Sequence, residues 1–481
     1  MSLLQGQRKG MRFLWGESEM NEKSFVCTGD CLTCGRCFSR ETKDQKSPGK
    51  GMMTFPPDFA WDSGQEGLGL AFDLGTTTLA ALLWNRATGT LIGTQTMLNP
   101  QRIYGADVIS RITYAGETWN HMNELQQRLL QGVHQLKDAL LNRFCYHEEK
   151  LTRAVFCGNT TMSHFLLRED PRGLALSPFQ PAYEGEREMD GKELGFMDHV
   201  SLYVLPNIAG HVGGDITAGM VSSRVLKRKG CHLFMDLGTN GEIVLAEDGN
   251  GLVCSTAAGP AFEGASLSCG CRAGEGAIDE IVIQEEMTFH TIGNGKPVGI
   301  CGSGILSAVA EMRKAGLINR RGRLISGEEW EEAHPYSPLG KRLVARGKER
   351  LFLLWKEGDE EVAICQQDIR EVQMAKSAIR TGVELLLKRW KRTPEDLTGI
   401  YMAGAFGNTL KIEDALYLGV LPPVAENRVQ GLGNTAGAGA SMVLLSEEEE
   451  DGCYLIPQKL EHVELALDED FQENYLKYMD F

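Results

Sequence analysis

The chain has 481 residues, 42% of them hydrophobic, which is enough to bury two lobe-sized cores with appendages. A formal net charge of -16 opposes any general role on nucleic acid, because a phosphate backbone demands a basic surface. No stretch approaches the ~20 apolar residues that cross a bilayer, and residues 1–15 lack the apolar centre of a signal peptide, so the expected location is the cytoplasm, with no membrane partner.

The first informative element is a knot of four cysteines, Cys27, Cys31, Cys34 and Cys37, within residues 1–40. In a cytoplasmic protein, thiols so close together are metal ligands rather than disulfides. Gly29 and Gly35 let the backbone wrap, which suits an iron–sulfur cluster, with 4Fe-4S as the expected type. Structural zinc is the alternative, although zinc sites usually separate two Cys pairs by a longer hairpin or helix. Of the other nine cysteines, Cys145, Cys157, Cys231, Cys254, Cys301, Cys365 and Cys453 read as small buried hydrophobes, and the pair Cys269 and Cys271 stays open.

Residues 41–66 are polar and contain Pro and Gly, the composition of a tether. Next comes an apolar run ending in Asp73, a turn Gly75, Thr76, Thr77 and Thr78, and a second apolar run: strand, tight turn, strand. The pattern returns at Asp236, Gly238, Thr239, Asn240 and Gly241. Glycine lets backbone approach a phosphate, Thr hydroxyls and N–H groups donate to its oxygens, and Asp holds Mg2+ directly or through water. One such turn is an ordinary hairpin. Two, each heading half of the chain, point to a nucleotide held from both sides.

Between and beyond these turns lie further elements. Residues 99–104 hold Asn99 and Arg102, read either as contacts to a ligand or as ties of a turn. Residues 123–144 carry a packing stripe of Leu125, Leu129, Val133, Leu136 and Leu140 at helical spacing. His164 and His211 read as core histidines. Residues 204–219 form a Gly-rich segment containing Asp215, whose plain reading is a helix cap. Residues 317–366 look like an insertion, with a hairpin over 350–365. A helix follows over 372–387, its basic end at 388–392. Gly404, Ala405, Phe406, Gly407 and Asn408 close a strand with small residues, 433–440 opens a helix, and the acidic run 447–451 reads as a solvated break. No Gly-x4-Gly-Lys-Ser/Thr loop occurs, and no Gly-x-Gly-x-x-Gly follows a strand.

The doubled Asp-x-Gly-Thr turn resembles that of the actin, sugar-kinase and heat-shock ATPase superfamily. The resemblance implies an α/β fold of two ribonuclease-H-like lobes, at 67–229 and 230–445, preceded by the Cys segment and linker and followed by a tail at 446–481. It implies ATP and Mg2+ as ligands, with Asp73 and Asp236 organising Mg2+ and Asp215 orienting the attacking water. In the same comparison 204–219 and 433–440 are the connectors between lobes, and 400–408 is the adenosine loop. Segments 98–112, 157–166, 177–181, 368–380 and 463–472 narrow the likeness to the ATP-dependent reductive activators of corrinoid proteins. Nearly all of 67–481 is covered.

That family implies return of a Co(II) corrinoid to Co(I) on a corrinoid protein or corrinoid-dependent methyltransferase, fed by a low-potential electron donor and carried out by a homodimer. The short Cys knot departs from the ferredoxin domain of longer members, which leaves cluster type and donor open. Two other readings stand beside it: a non-redox reactivating ATPase or chaperone of a cobalamin enzyme with a structural zinc knot, and a small-molecule kinase, which leaves the knot unexplained.

Overall fold

The computed structural model describes residues 55–238, 240–264 and 266–481. Cys27, Cys31, Cys34, Cys37 and Thr239 therefore lie outside the described residues. The first lobe is built on β1 (Leu68–Leu74), β2 (Thr78–Asn85), β3 (Thr90–Leu98), β4 (Leu151–Gly158), β5 (Arg187–Asp190) and β6 (Ser201–Val204). They lie in the order β3-β2-β1-β4-β6-β5. The second lobe starts with β7 (Cys231–Leu237), β8 (Gly241–Glu247) and β9 (Asn250–Thr256). Two small sheets follow, one of β10 (Ala277–Ile283), β11 (Met287–Thr291) and β12 (Gly299–Ile300), the other of β13 (Leu343–Arg346), β14 (Glu349–Glu357) and β15 (Glu360–Cys365). Then β16 (Leu397–Ala403), β17 (Val429–Gly433) and β18 (Leu460–His462) complete a sheet ordered β17-β16-β7-β8-β9-β18.

Apart from edge strands β5 and β18, the two large sheets have the same plan. An antiparallel meander, β3-β2-β1 or β9-β8-β7, is extended by two parallel strands, β4-β6 or β16-β17. Strand periodicity then aims the key side chains. Leu68, Leu70, Phe72 and Leu74 bury one face of β1 in a core that includes the helix Trp119–Arg143, whose five-residue stripe packs as the spacing predicts. Cys231, Leu233, Met235 and Leu237 do the same for β7 in the second lobe. Ala71 and Phe234 instead join a cluster shared by both lobes. Asp73 and Asp236, two residues further along each strand, therefore look inward toward the space between the lobes.

That space is floored by two connecting helices, Gly214–Ser223 and Thr435–Leu445, both rich in small residues. A Cβ at Gly439 would lie 2.0 Å from the Ala218 carbonyl oxygen, so the helices touch backbone to backbone and only glycine fits. The insertion forms the expected β14–β15 hairpin, and Trp330, Leu339, Phe352 and Ile364 fuse it to the second lobe's core.

Three expectations fail. Cys145 is exposed rather than buried. The acidic run is not a solvated break: it opens the helix Glu447–Tyr454, in which Glu449 is buried against Arg224 and Glu450 meets Arg153 at 2.6 Å. The last dozen residues of the 41–66 segment are no free tether, since Asp58 and Asp62 bond to the body. Sequence composition registers polarity, and polarity does not distinguish a solvated charge from one with a partner elsewhere in the chain.

Candidate functional site

Each strand that ends in the Asp turns back through its Thr/Gly loop, and the first of these loops is held from outside. In the first, Asn99 donates from Nδ2 to the Gly75 carbonyl at 3.0 Å, and the Asn99 N–H donates to the Thr77 carbonyl at 2.9 Å. Asn99 also accepts from the Gln101 N–H, so it ties the turn, while Arg102 is exposed. Asn159 donates to the Thr76 hydroxyl at 2.9 Å and caps the helix Thr160–Leu167 by accepting from the Met162 N–H. In the second loop the Gly238 N–H donates to the Asn240 carbonyl at 2.9 Å. Thr78 and Gly241 begin the returning strands β2 and β8.

Behind the loops the carboxylates converge. Asp236 feels the charge of Asp73, Asp215 feels both, and a fourth carboxylate, Glu242, feels Asp215 and Asp236. All four keep some surface area yet are desolvated by the protein around them, which describes the floor of a cleft. Burial pushes Asp73 up to about 6 against a lowering hydrogen bond from Asn434, and burial reinforced by Asp73 pushes Asp236 up to about 7. Burial followed by the neighbouring acids holds Asp215 and Glu242 well above the usual carboxylate range. Asp215 lies in the first turn of the connecting helix Gly214–Ser223, where its Oδ1 accepts from the Ile216 N–H at 2.8 Å.

The parallel pairing of β16 with β7 sets Ala403 beside Asp236. Gly404 then turns with φ 79°, and a Cβ there would come within 2.9 Å of Asp236 Oδ1. Ala405, Phe406, Gly407 and Asn408 continue as the short helix Gly404–Thr409.

These features fit a magnesium nucleotide. A group of acids that raise one another's proton affinity gains by taking up a cation, and Gly75 and Gly238 leave backbone partly exposed at the two loops. Among the described residues no group of three or more His, Cys, Asp or Glu side chains converges as a chelate. Magnesium would accordingly keep water and phosphate oxygens as most of its ligands, its ordinary habit.

Sequence reasoning missed Glu242, Asn159 and Asn434. The two asparagines had a signal: Gly158, Asn159, Thr160 and Gly433, Asn434, Thr435 each leave a strand and start a helix, one per lobe. Asn434 donates to Asp73 Oδ2 at 3.1 Å and caps its helix through the Gly437 N–H. His164 is a satisfied core residue, with Nδ1 on the Thr160 carbonyl and Nε2 accepting from the Ala182 N–H.

Comparison with known proteins agrees with this architecture. The family described as the C-terminal domain of RACo, the ASKHA domain, matches residues 230–481, and the RACo middle region matches 68–228. The chain belongs to the RACo family. The corrinoid activation enzyme RamQ of Eubacterium limosum is 36% identical to this chain over 415 residues, covering 85% of it and 69% of RamQ. A [Co(II) methylated amine-specific corrinoid protein] reductase of Methanosarcina barkeri is 27% identical, over 85% of this chain and 76% of that one. A solved structure of a reductive activator for corrinoid,iron-sulfur protein superposes with a TM-score of 0.77 at 32% identity, covering 87% of this chain and 67% of that one. The two-lobed α/β architecture is thus the ASKHA fold of RACo proteins. No helix among the described residues is long and apolar enough to cross a membrane.

Proposed function

We propose that this RACo-family chain is an ATP-hydrolysing reductive activator that returns a Co(II) corrinoid, bound to a corrinoid protein or corrinoid-dependent methyltransferase, to Co(I). The observation that carries the reading is the meeting of Asp73, Asp236 and Asp215 between two Thr/Gly loops, in a chain 36% identical to a named corrinoid activation enzyme. In this reading Gly75 to Thr78 and Gly238 to Gly241 grip phosphates from opposite lobes, and Gly404 to Asn408 receive the adenosine. Asp73 and Asp236 organise Mg2+, with Asn434 fixing the carboxylate of Asp73. Asp215 orients the hydrolytic water, and Glu242, its neighbour in the cleft, supports it.

Closing both lobes on ATP selects one interlobe angle, and hydrolysis releases it. Differential affinity of this kind is what nucleotide energy can contribute to an uphill reduction. Cys27, Cys31, Cys34 and Cys37 supply four thiolates suited to an iron–sulfur cluster, which would pass electrons one at a time from a low-potential donor.

The test is the visible spectrum of anaerobically purified full-length protein, read alongside ATP-dependent reduction of a Co(II) corrinoid protein. A brown, dithionite-bleachable chromophore lost in Cys31→Ser and Cys34→Ser, together with loss of corrinoid reduction, is the expected result. A colourless protein with stoichiometric zinc that still reactivates its partner would overturn the redox reading in favour of a chaperone.

A further inference from the structure

The chain that joins the Cys27–Cys37 segment to the ATPase lobes is fastened to the hinge between them. Phe55 stacks on Trp84 with ring centroids 5.4 Å apart and meets Phe59 edge-on at 4.7 Å, and both Phe rings pack on the cluster shared by the lobes. Trp84 in turn donates from Nε1 to the Ser441 hydroxyl of the second connecting helix at 3.0 Å. The Asp62 N–H donates to the carbonyl of Leu445, the last residue of that helix, at 2.9 Å, and Asp62 Oδ2 accepts from the Glu447 N–H at 2.7 Å. Asp58 Oδ2 accepts from Arg224 Nε at 3.1 Å.

Arg224 is where these paths cross. It follows the first connecting helix directly, in the left-handed region at φ 57°, and its buried guanidinium also donates to the Val221 carbonyl and to both oxygens of Glu449. One side chain thus links the leading segment, the end of the first connecting helix and the helix that follows the second. The backbones of the two connecting helices touch at Gly439 and Ala218, so a change of interlobe angle that moves one helix is passed to the other. A segment held to both cannot stay still. Asp58 is 59% exposed, so its pair with Arg224 sets direction more than strength, and the rings of Phe55 and Phe59 supply the hold.

We propose that Phe55–Asp62 is a coupling strap through which the interlobe angle sets the position of the preceding, cysteine-bearing chain, with Asp58 and Arg224 as its positioning contact. The strap deepens the proposed function by giving ATP a mechanical route to the electron-delivering end of the chain. Its use in reduction rests on that reading, whereas the coupling itself does not.

Lys43, Lys46 and Lys50 stand just ahead of Phe55 and offer tryptic sites. The full-length protein and its Phe55→Ala/Asp58→Ala variant would be digested with and without a Mg2+-bound non-hydrolysable ATP analogue. In the wild type, cleavage at these lysines should change by about threefold or more on adding the nucleotide, the size of a modest population shift. In the variant that ratio should fall to unity, with ATP turnover unchanged and corrinoid reduction reduced several-fold. Phe55→Leu, which keeps an apolar anchor, should restore the ratio and so excludes a folding defect. A wild-type ratio of one, or an unaltered ratio in the variant, would overturn the strap. A colourless protein that keeps the nucleotide-dependent ratio would sink the redox reading and leave the strap standing.

Discussion

Asp215 faces two other aspartates from the first turn of a helix, where its carboxylate accepts from the Ile216 N–H beside it. With burial and like charge both opposing its ionisation, this residue is poorly explained as a cap alone. Asp215→Ala should therefore abolish ATP hydrolysis while nucleotide affinity, measured by calorimetry, changes little; undiminished turnover would remove Asp215 from the mechanism. The raised acids also set a pH dependence. A carboxyl whose folded value lies above its unfolded one binds more protons in the native state, so stability falls as pH rises from about 4 through the folded values. With Asp73 at about 6 and Asp236 at about 7, the metal-free protein should lose stability between pH 4 and 7 through these groups. Thermal melts at pH 5 and pH 8 check this: Asp236→Asn should be less sensitive than wild type, and saturating Mg2+ nucleotide should flatten both.

The helix Glu447–Tyr454 draws its importance from partners far away in the chain. Glu449 and Arg224 have side-chain exposures of 10% and 8%, so removing either leaves a buried charge without its partner. Glu449→Ala should cost about 3–5 kcal/mol in denaturant unfolding, whereas replacing both by apolar residues of similar volume should cost far less. If the single and double replacements prove equally destabilising, the pair is not what holds this helix to the connectors. The hairpins teach a related lesson. Leu74 pairs with Leu79 but Leu237 pairs with Gly241, so the second turn is one residue tighter. Register then sets Ala80 opposite Asp73 and Glu242 opposite Asp236. The lobes share a strand plan, yet only the second adds an acid at that position.

Across the whole molecule, the cleft is a seam between two separately built cores, and a ligand touching both sides stabilises the closed form by mass action. At a hundred times its dissociation constant, Mg2+ ATP analogue should add roughly 2.7 kcal/mol, read as a rise in melting temperature. Asp73→Asn/Asp236→Asn should lose most of that rise; an equal shift in the variant would place the nucleotide elsewhere. Much of this arrangement was legible in the sequence. The two Asp-Leu-Gly-Thr turns, the helix stripe from Leu125 to Leu140 and the Gly-rich connectors are local patterns, written within a single strand, turn or helix, where backbone geometry and side-chain spacing suffice. The inward aim of Asp73 and Asp236 also follows from period two. What only the tertiary structure decided involves distance along the chain or register. Asn434 reaches Asp73 across 361 positions, Glu449 answers Arg224 across 225, and Glu242 meets Asp236 because of a turn shorter by one residue. The polar residues of 55–66 look like solvent-exposed linker until the connecting helices are in place to bind them. Local order comes from short-range sterics and hydrophobic spacing, but a charge or amide has many equivalent partners in sequence and acquires one only when packing has brought the chain together.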